Sequence, residues 1–165
     1  MALPKSNMRC FALLTVLLLT GCTSTNHVPS SGTEFSLDDC TPFLNCVSST
    51  SSVSLYYVKP IQLSAPLDQP TWDTVKAVAT EMPRARLNDS RFGYLDMTFH
   101  SDLLHFPDYF EVLVSPDRRS LDIRSQSLFG FYDLGVNRRR VERFRHNLVE
   151  RGVASGNSQA LKSAD

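Results

Sequence analysis

Two stretches of the chain carry side chains that could do chemistry. The first, "DIRSQSLFGFYDLGVNRRRVERFR" from Asp122 to Arg145, gathers arginine around the start of a predicted helix. Arg124, Ser125 and Ser127 leave a predicted strand, and Asp133, Gly135 and Asn137 lead into the helix. Backbone N–H groups at a helix amino terminus attract anions, and an arginine can clamp a carboxylate or phosphate in bidentate fashion. That chemistry designates Arg124, Ser125, Asn137 and Arg138 as a small-anion site. The same residues admit a purely structural role, in which Asn137 caps the helix, Asp133 neutralises Arg124 and Gly135 supplies a tight turn. Along the helix, burial of Val141 and Phe144 predicts that Arg139, Arg140 and Arg143 project outward, with Arg138 and Arg145 near the flanks. Such a face suits solvent, or the anionic headgroups and phosphorylated lipopolysaccharide of a membrane surface.

The second stretch, "HSDLLHFPD", offers His100, Asp102, His105 and Asp108. His100 and Asp102 would share a strand face, which metal ligation could use. His105 falls in a turn, however, and no second cluster completes a ligand pattern, so no metal site and no cofactor are expected. Asp108 and Glu111 could act as paired carboxylates on cell-wall sugars. No nucleophile elbow, phosphate loop or metalloprotease helix accompanies them. The expectation is therefore a non-enzymatic binding domain. A small periplasmic hydrolase or metal-dependent enzyme centred on His100 to Glu111 is the alternative.

The elements that position these residues follow a distinct leader. "MALPKSNMRCFALLTVLLLTGC" has a basic start and a short apolar run from Phe11, the pattern of an export signal over residues 1–21. The run is shorter than the roughly 20 apolar residues that span a bilayer. Leu19, Thr20, Gly21 and Cys22 resemble the lipobox of bacterial lipoproteins, which implies cleavage before Cys22 and lipidation of its thiol. Thr23 and Ser24 follow, without the aspartate that retains lipoproteins in the inner membrane. That resemblance implies an outer-membrane anchor facing the periplasm. Residues 22–39, rich in Ser, Thr, Gly, Asn and Pro, read as the lipidated cysteine and a flexible tether. Export separates the arginines from cytoplasmic nucleic acid, so the expected partners are the membrane, through the lipid, and an envelope protein or anionic lipid or glycan.

Formal charge balances, with 17 basic and 17 acidic residues, and excludes a partner chosen by total charge. The distribution is uneven, because acidic residues lead by about seven from Glu34 to Asp117 and arginine leads by about five from Arg118 to Arg151. Of the 4 cysteines, Cys10 leaves with the signal and Cys22 takes lipid. Cys40 and Cys46 remain as an even pair in an oxidising compartment. Their bridge would close a small loop and contribute roughly 2 kcal/mol. Zinc would need further ligands, and a redox motif would need a closer spacing.

Between leader and tail, periodicity supplies the elements. "VKPIQL" from Val58 suits an edge strand because of Pro60. Asp68 caps a helix with Trp72, Val75, Ala79 and Met82 on one stripe, stopped by Pro83. Leu95, Met97 and Phe99 alternate with polar residues, as do Phe110, Val112 and Val114. "SPDR" at Ser115 turns the chain into a third strand through Leu121 and Ile123. A last helix spans about Asn137 to Arg151, with Val141, Phe144 and Leu148 inward and Gly152 ending it. The fold class is thus α+β in two layers, with the order strand, helix, three-strand antiparallel meander, helix, over residues 40–152. Residues 153–165 read as a disordered tail.

"RSQSLFGFYDLGVNRRRVERFR" resembles the closing motif of the family known as domain of unknown function 1499, an Arg-Ser-x-Ser start followed by Asp-Leu-Gly-Val-Asn-Arg and a short helix. "CTPFLNCVSS" resembles that family's opening, matched at Cys40, Asn45, Cys46, Val47, Ser48 and Ser49. The chain departs from the pattern at Leu128 and Tyr109, where members often carry arginine and a second aspartate. The resemblance implies a small exported or membrane-associated domain and brings no established reaction.

Overall fold

A computed structural model describes residues 36–101 and 106–156. The export signal, Cys22, most of the tether, Asp102, His105 and the end of the chain lie outside the described residues. The strands are β1 (Cys46–Ser48), β2 (Ile61–Gln62), β3 (Ala85–Arg91), β4 (Tyr94–His100), β5 (Pro107–Val114) and β6 (Ser120–Ser127). The helices are α1 (Gln69–Thr80) and α2 (Val136–Glu150). All strand pairs are antiparallel, in the order β1-β6-β5-β4-β3. β1 and β2 share the outer edge of β6, β1 opposite Arg124 to Gln126 and β2 opposite Ser120 and Leu121.

The alternation read from the sequence decides which face is apolar. Leu95, Met97 and Phe99 of β4, Phe110 and Val112 of β5, and Leu121 and Ile123 of β6 are all buried on one side. α1 covers them with Trp72, Val75, Val78 and Ala79, and α2 with Val141, Phe144 and Leu148. The ring of Phe110 meets Phe99 at 5.6 Å and Phe144 at 5.2 Å, both edge-on, a favourable quadrupole arrangement. The result is the expected α+β fold.

Local signals explain most boundaries. Asp68 caps α1, its Oδ1 accepting from the Thr71 N–H at 2.9 Å. Gly152, at φ 71°, closes α2, with Val153 N–H donating back to the Leu148 carbonyl at 3.0 Å. Arg91 pairs with Tyr94, so a two-residue turn joins β3 and β4. Gly93 is needed there twice over: φ is 81°, and a Cβ would lie 2.5 Å from Val114 Cγ1.

Several details differ from expectation. The meander has four strands rather than three, because β3 joins the free edge of β4. "ARLNDSR" is polar and largely exposed, so backbone pairing rather than side-chain burial makes it a strand, and periodicity cannot reveal it. The "VKPIQL" strand shrinks to Ile61–Gln62. Asn137 does not cap α2. Gly135 occupies that position at φ 75°, and Asp133 serves the terminus, its Oδ1 accepting from Gly135 N–H and its Oδ2 from Asn137 N–H, each at 2.8 Å. Packing also extends past both expected ends of the domain, since Leu37, Val153 and Ala154 are buried.

Candidate functional site

Polar side chains concentrate at the end of the sheet where β4 and β6 finish and α2 begins. On the helix-facing side, Asp108 of β5, Ser125 and Ser127 of β6, and Asn137 and Arg140 of α2 are all buried. Arg140 Nη2 lies 2.5 Å from Asp108 Oδ2, and its Nη1 donates to Ser125 Oγ at 3.0 Å. Ser125 in turn donates to Asn137 Oδ1 at 2.7 Å. The Asn137 amide donates to Ser127 Oγ and to the Asn45 carbonyl, both at 2.9 Å. The guanidinium of Arg140 sits 4.8 Å above the ring of Phe99, a cation–π contact. A buried charge is tolerated only when paired and hydrogen-bonded, and this one is both.

A second network occupies the opposite face of the same strands. Arg124, only 1% exposed, pairs with Glu111 at 3.0 Å and donates to Gln126 Oε1. The Tyr94 hydroxyl donates to Glu111 Oε1 at 3.1 Å. Gln126 reaches the Thr41 hydroxyl at 3.3 Å, tying the disulfide loop to the sheet. That loop is closed by Cys40 and Cys46 across a Cα–Cα distance of 5.6 Å. Burial raises the Glu111 carboxyl above its ordinary value, opposed by the Arg124 charge. Burial, followed by the charge of Glu111, likewise raises the Tyr94 phenol.

The structure therefore divides the residues that the sequence grouped. Arg124 and Ser125 are consecutive on β6 and point to opposite faces, so Arg124 lies apart from Ser125 and Asn137. Arg138 is exposed and donates to the carbonyls of Leu55 at 3.0 Å and Tyr57 at 2.9 Å. Ser125 and Asn137 do meet, and the residue that joins them is Arg140. Its expected outward direction is corrected: it turns inward to Asp108. A helical-period signal existed, because Asn137, Arg140, Val141, Phe144 and Leu148 fall on one stripe. Asp108 and Glu111 lie on opposite faces, each with its own arginine, so the sheet separates the two carboxylates. Among the described residues, no group of three His, Cys, Asp or Glu side chains is placed to hold a metal ion.

Beside Arg140 lies a feature that no motif announced. A cleft of about 180 Å³ is lined by Pro83, Arg84, His100, Arg139, Arg140 and Arg143, among others. The turn after α1 supplies Pro83 and Arg84, the end of β4 supplies His100, and the first turns of α2 supply the other three. Among the described residues no carboxylate lines it. The amino terminus of α2 is not itself an open anion site, because Asp133 already fills it.

The two motifs read at opposite ends of the sequence meet in space. Asn45 donates to the Ser127 carbonyl at 3.1 Å and to that of Gly130 at 2.6 Å, and Asn137 donates back to Asn45. Ser49 donates to Asp122 Oδ1 at 2.7 Å while accepting from Ile123 N–H at 2.9 Å. A family model described as "Protein of unknown function (DUF1499)" matches residues 36–148. The chain belongs to the DUF1499 family. No curated protein and no solved structure matches it. In this DUF1499 domain the opening motif forms β1 and the edge of the Asn137 network, and the closing motif forms β6 and the start of α2. The motifs' polar residues are thus largely spent on holding the fold together. Arg140 serves both that network and the cleft, and Arg84 and Arg139 each also donate to a backbone carbonyl, of His100 at 3.0 Å and of Leu134 at 2.9 Å.

Proposed function

We propose that this DUF1499 domain is an exported, lipid-anchored, non-enzymatic domain that binds a phosphate- or carboxylate-bearing component of the envelope in its arginine cleft. The observation that carries the reading is the wall of that cleft, which Arg84, Arg139 and Arg143 line together with the inward-turned Arg140. Asp108 lies behind Arg140 and holds it in place, so the cleft is preorganised on one side and adaptable on the other. Arginine suits this task because its planar fork matches phosphate and carboxylate geometry. The lipobox at Cys22 supports an outer-membrane anchor facing the periplasm, with residues 22–39 as lipidated cysteine and tether.

Titration calorimetry with inorganic phosphate tests the cleft. The native chain should bind with an affinity that falls as salt rises. The Arg139→Ala/Arg143→Ala variant should bind about tenfold more weakly or worse, the loss of at least one charge-assisted hydrogen bond. Equal affinity in the two proteins, or no heat in either, would sink the reading. Labelling of cells with radioactive palmitate tests the anchor: the native chain should take up label, and Cys22→Ser should not.

A further inference from the structure

The loops beside the cleft expose large apolar side chains. Phe131 is 73% exposed, Leu134 69%, Tyr132 63% and Phe129 51%. Two of them pack against other exposed rings. The ring of Phe131 meets that of Phe43 at 5.0 Å, and Phe129 meets Phe106 at 5.3 Å. Backbone bonds from Leu44 N–H to the Phe131 carbonyl, 2.9 Å, and from Asp133 N–H to the Leu44 carbonyl, 3.2 Å, lock the two loops together. The display is therefore built into the fold. Large exposed apolar side chains gathered in this way mark an interaction surface.

We propose that this end of the domain inserts its aromatic side chains into the headgroup region of an anionic phospholipid bilayer. Three observations select a bilayer over a protein. The side chains project as tips, and a fluid interface accepts projecting rings without needing a complementary surface. Their composition suits that depth: tyrosine settles at the membrane–water boundary, and phenylalanine and leucine bury at the edge of the acyl region. The charge beside them is complementary to anionic lipid: Arg138, Arg139 and Arg143 lie on the first turns of α2, directly after Leu134 and Val136. Each such arginine near an anionic surface adds to the attraction. Of the neighbouring acidic residues, Asp133 is turned to the backbone of α2 and Glu142 is paired with Arg145.

The anchor leaves the choice of face open. Ser36 lies with Gly93 and Ser115 around one cavity, at the far end of the strands. From Cys22 to Ser36 the chain can reach at most roughly 45–50 Å. The 8 residues of β5 span about 27 Å. A tether of that reach lets either end of the domain face the bilayer, so surface chemistry decides. This inference goes beyond the anion reading, because inserted rings need no ligand in the cleft.

The test uses the full chain reconstituted into phosphatidylethanolamine–phosphatidylglycerol vesicles with brominated acyl chains, which quench tryptophan only at close range. Phe131→Trp places a probe at the aromatic end. Arg119→Trp places one in the β5–β6 turn at the other end, on the same tether. The native Trp72 is buried in the core and supplies a constant background. Quenching should be several-fold stronger in Phe131→Trp than in Arg119→Trp. Equal quenching, the reverse order, or none in either variant would overturn the proposal and leave the aromatic end to a protein partner. Phosphate titration is read separately, so the cleft and the inserted surface can fail independently.

Discussion

Replacing Arg140 with methionine removes the guanidinium from the Asn137 network and leaves the rest of the helix stripe intact. Methionine keeps much of the apolar contact with Phe99, over whose ring the guanidinium sits at 4.8 Å. What it cannot replace is the charge beside Asp108, a carboxylate that is only 3% exposed. Ser125 and Asn137 lose a donor in the same step. Breaking a buried ion pair from one side costs roughly 3–5 kcal/mol. Because Arg140 also borders the cleft, water can reach part of the vacated space, which puts the expected loss near the lower end, at about 3 kcal/mol. For a domain of this size, that corresponds to a fall in Tm of roughly 10–15 °C. Urea unfolding should show a lower midpoint with an unchanged slope. The double variant Asp108→Leu/Arg140→Met removes both charges and should cost less than the two single substitutions added together, by about 2 kcal/mol. A loss below about 1 kcal/mol for Arg140→Met, or strict additivity in the cycle, would refute the claim that this pair is buried and mutually dependent.

Three further outcomes follow from the geometry. Reducing the Cys40–Cys46 bridge, or replacing both cysteines with serine, should lower stability by roughly 2 kcal/mol, read as a shift in the urea midpoint with and without reductant. Gly93→Ala should destabilise by about 1–3 kcal/mol, because the new Cβ would meet Val114 Cγ1 at 2.5 Å in a left-handed conformation; an unchanged Tm would contradict the turn geometry. Asp68→Ala should destabilise at neutral pH and progressively less under acid. The Thr71 hydrogen bonds hold the Asp68 carboxyl below its ordinary value, so its contribution is present above the unfolded-state value and is lost as pH falls through the depressed one. Parallel pH profiles for native and variant chains would contradict that cap.

Local order in the sequence was enough for much of the architecture. Alternation through Leu95, Met97 and Phe99, and again through Phe110 and Val112, is a one-dimensional record of a sheet with one buried face. Asp68 before α1 and Gly152 after α2 mark helix ends through bonds to their own neighbours. Cys40 and Cys46 lie only six positions apart in the sequence, and the structure bridges them. The family was equally legible, because its two motifs are short and contiguous.

Tertiary structure decided whatever depended on residues far apart in the chain. β3 exists because β4 offers an unpaired edge, which the polar string "ARLNDSR" does not disclose. Arg140 turns inward because Asp108 lies beneath it, 32 positions away; a stripe can say that a side chain faces the sheet but not what the sheet holds there. The separation of Arg124 from Ser125 was implicit in the two-residue period of a strand, yet their different partners, Glu111 on one face and Asn137 on the other, came only with the register of β5 and α2. The cleft needed the turn after α1, the end of β4 and the start of α2 brought to one point. Periodicity and capping act over a few residues and are written in the sequence. A site assembled from three distant segments is set by packing, which a linear pattern does not contain.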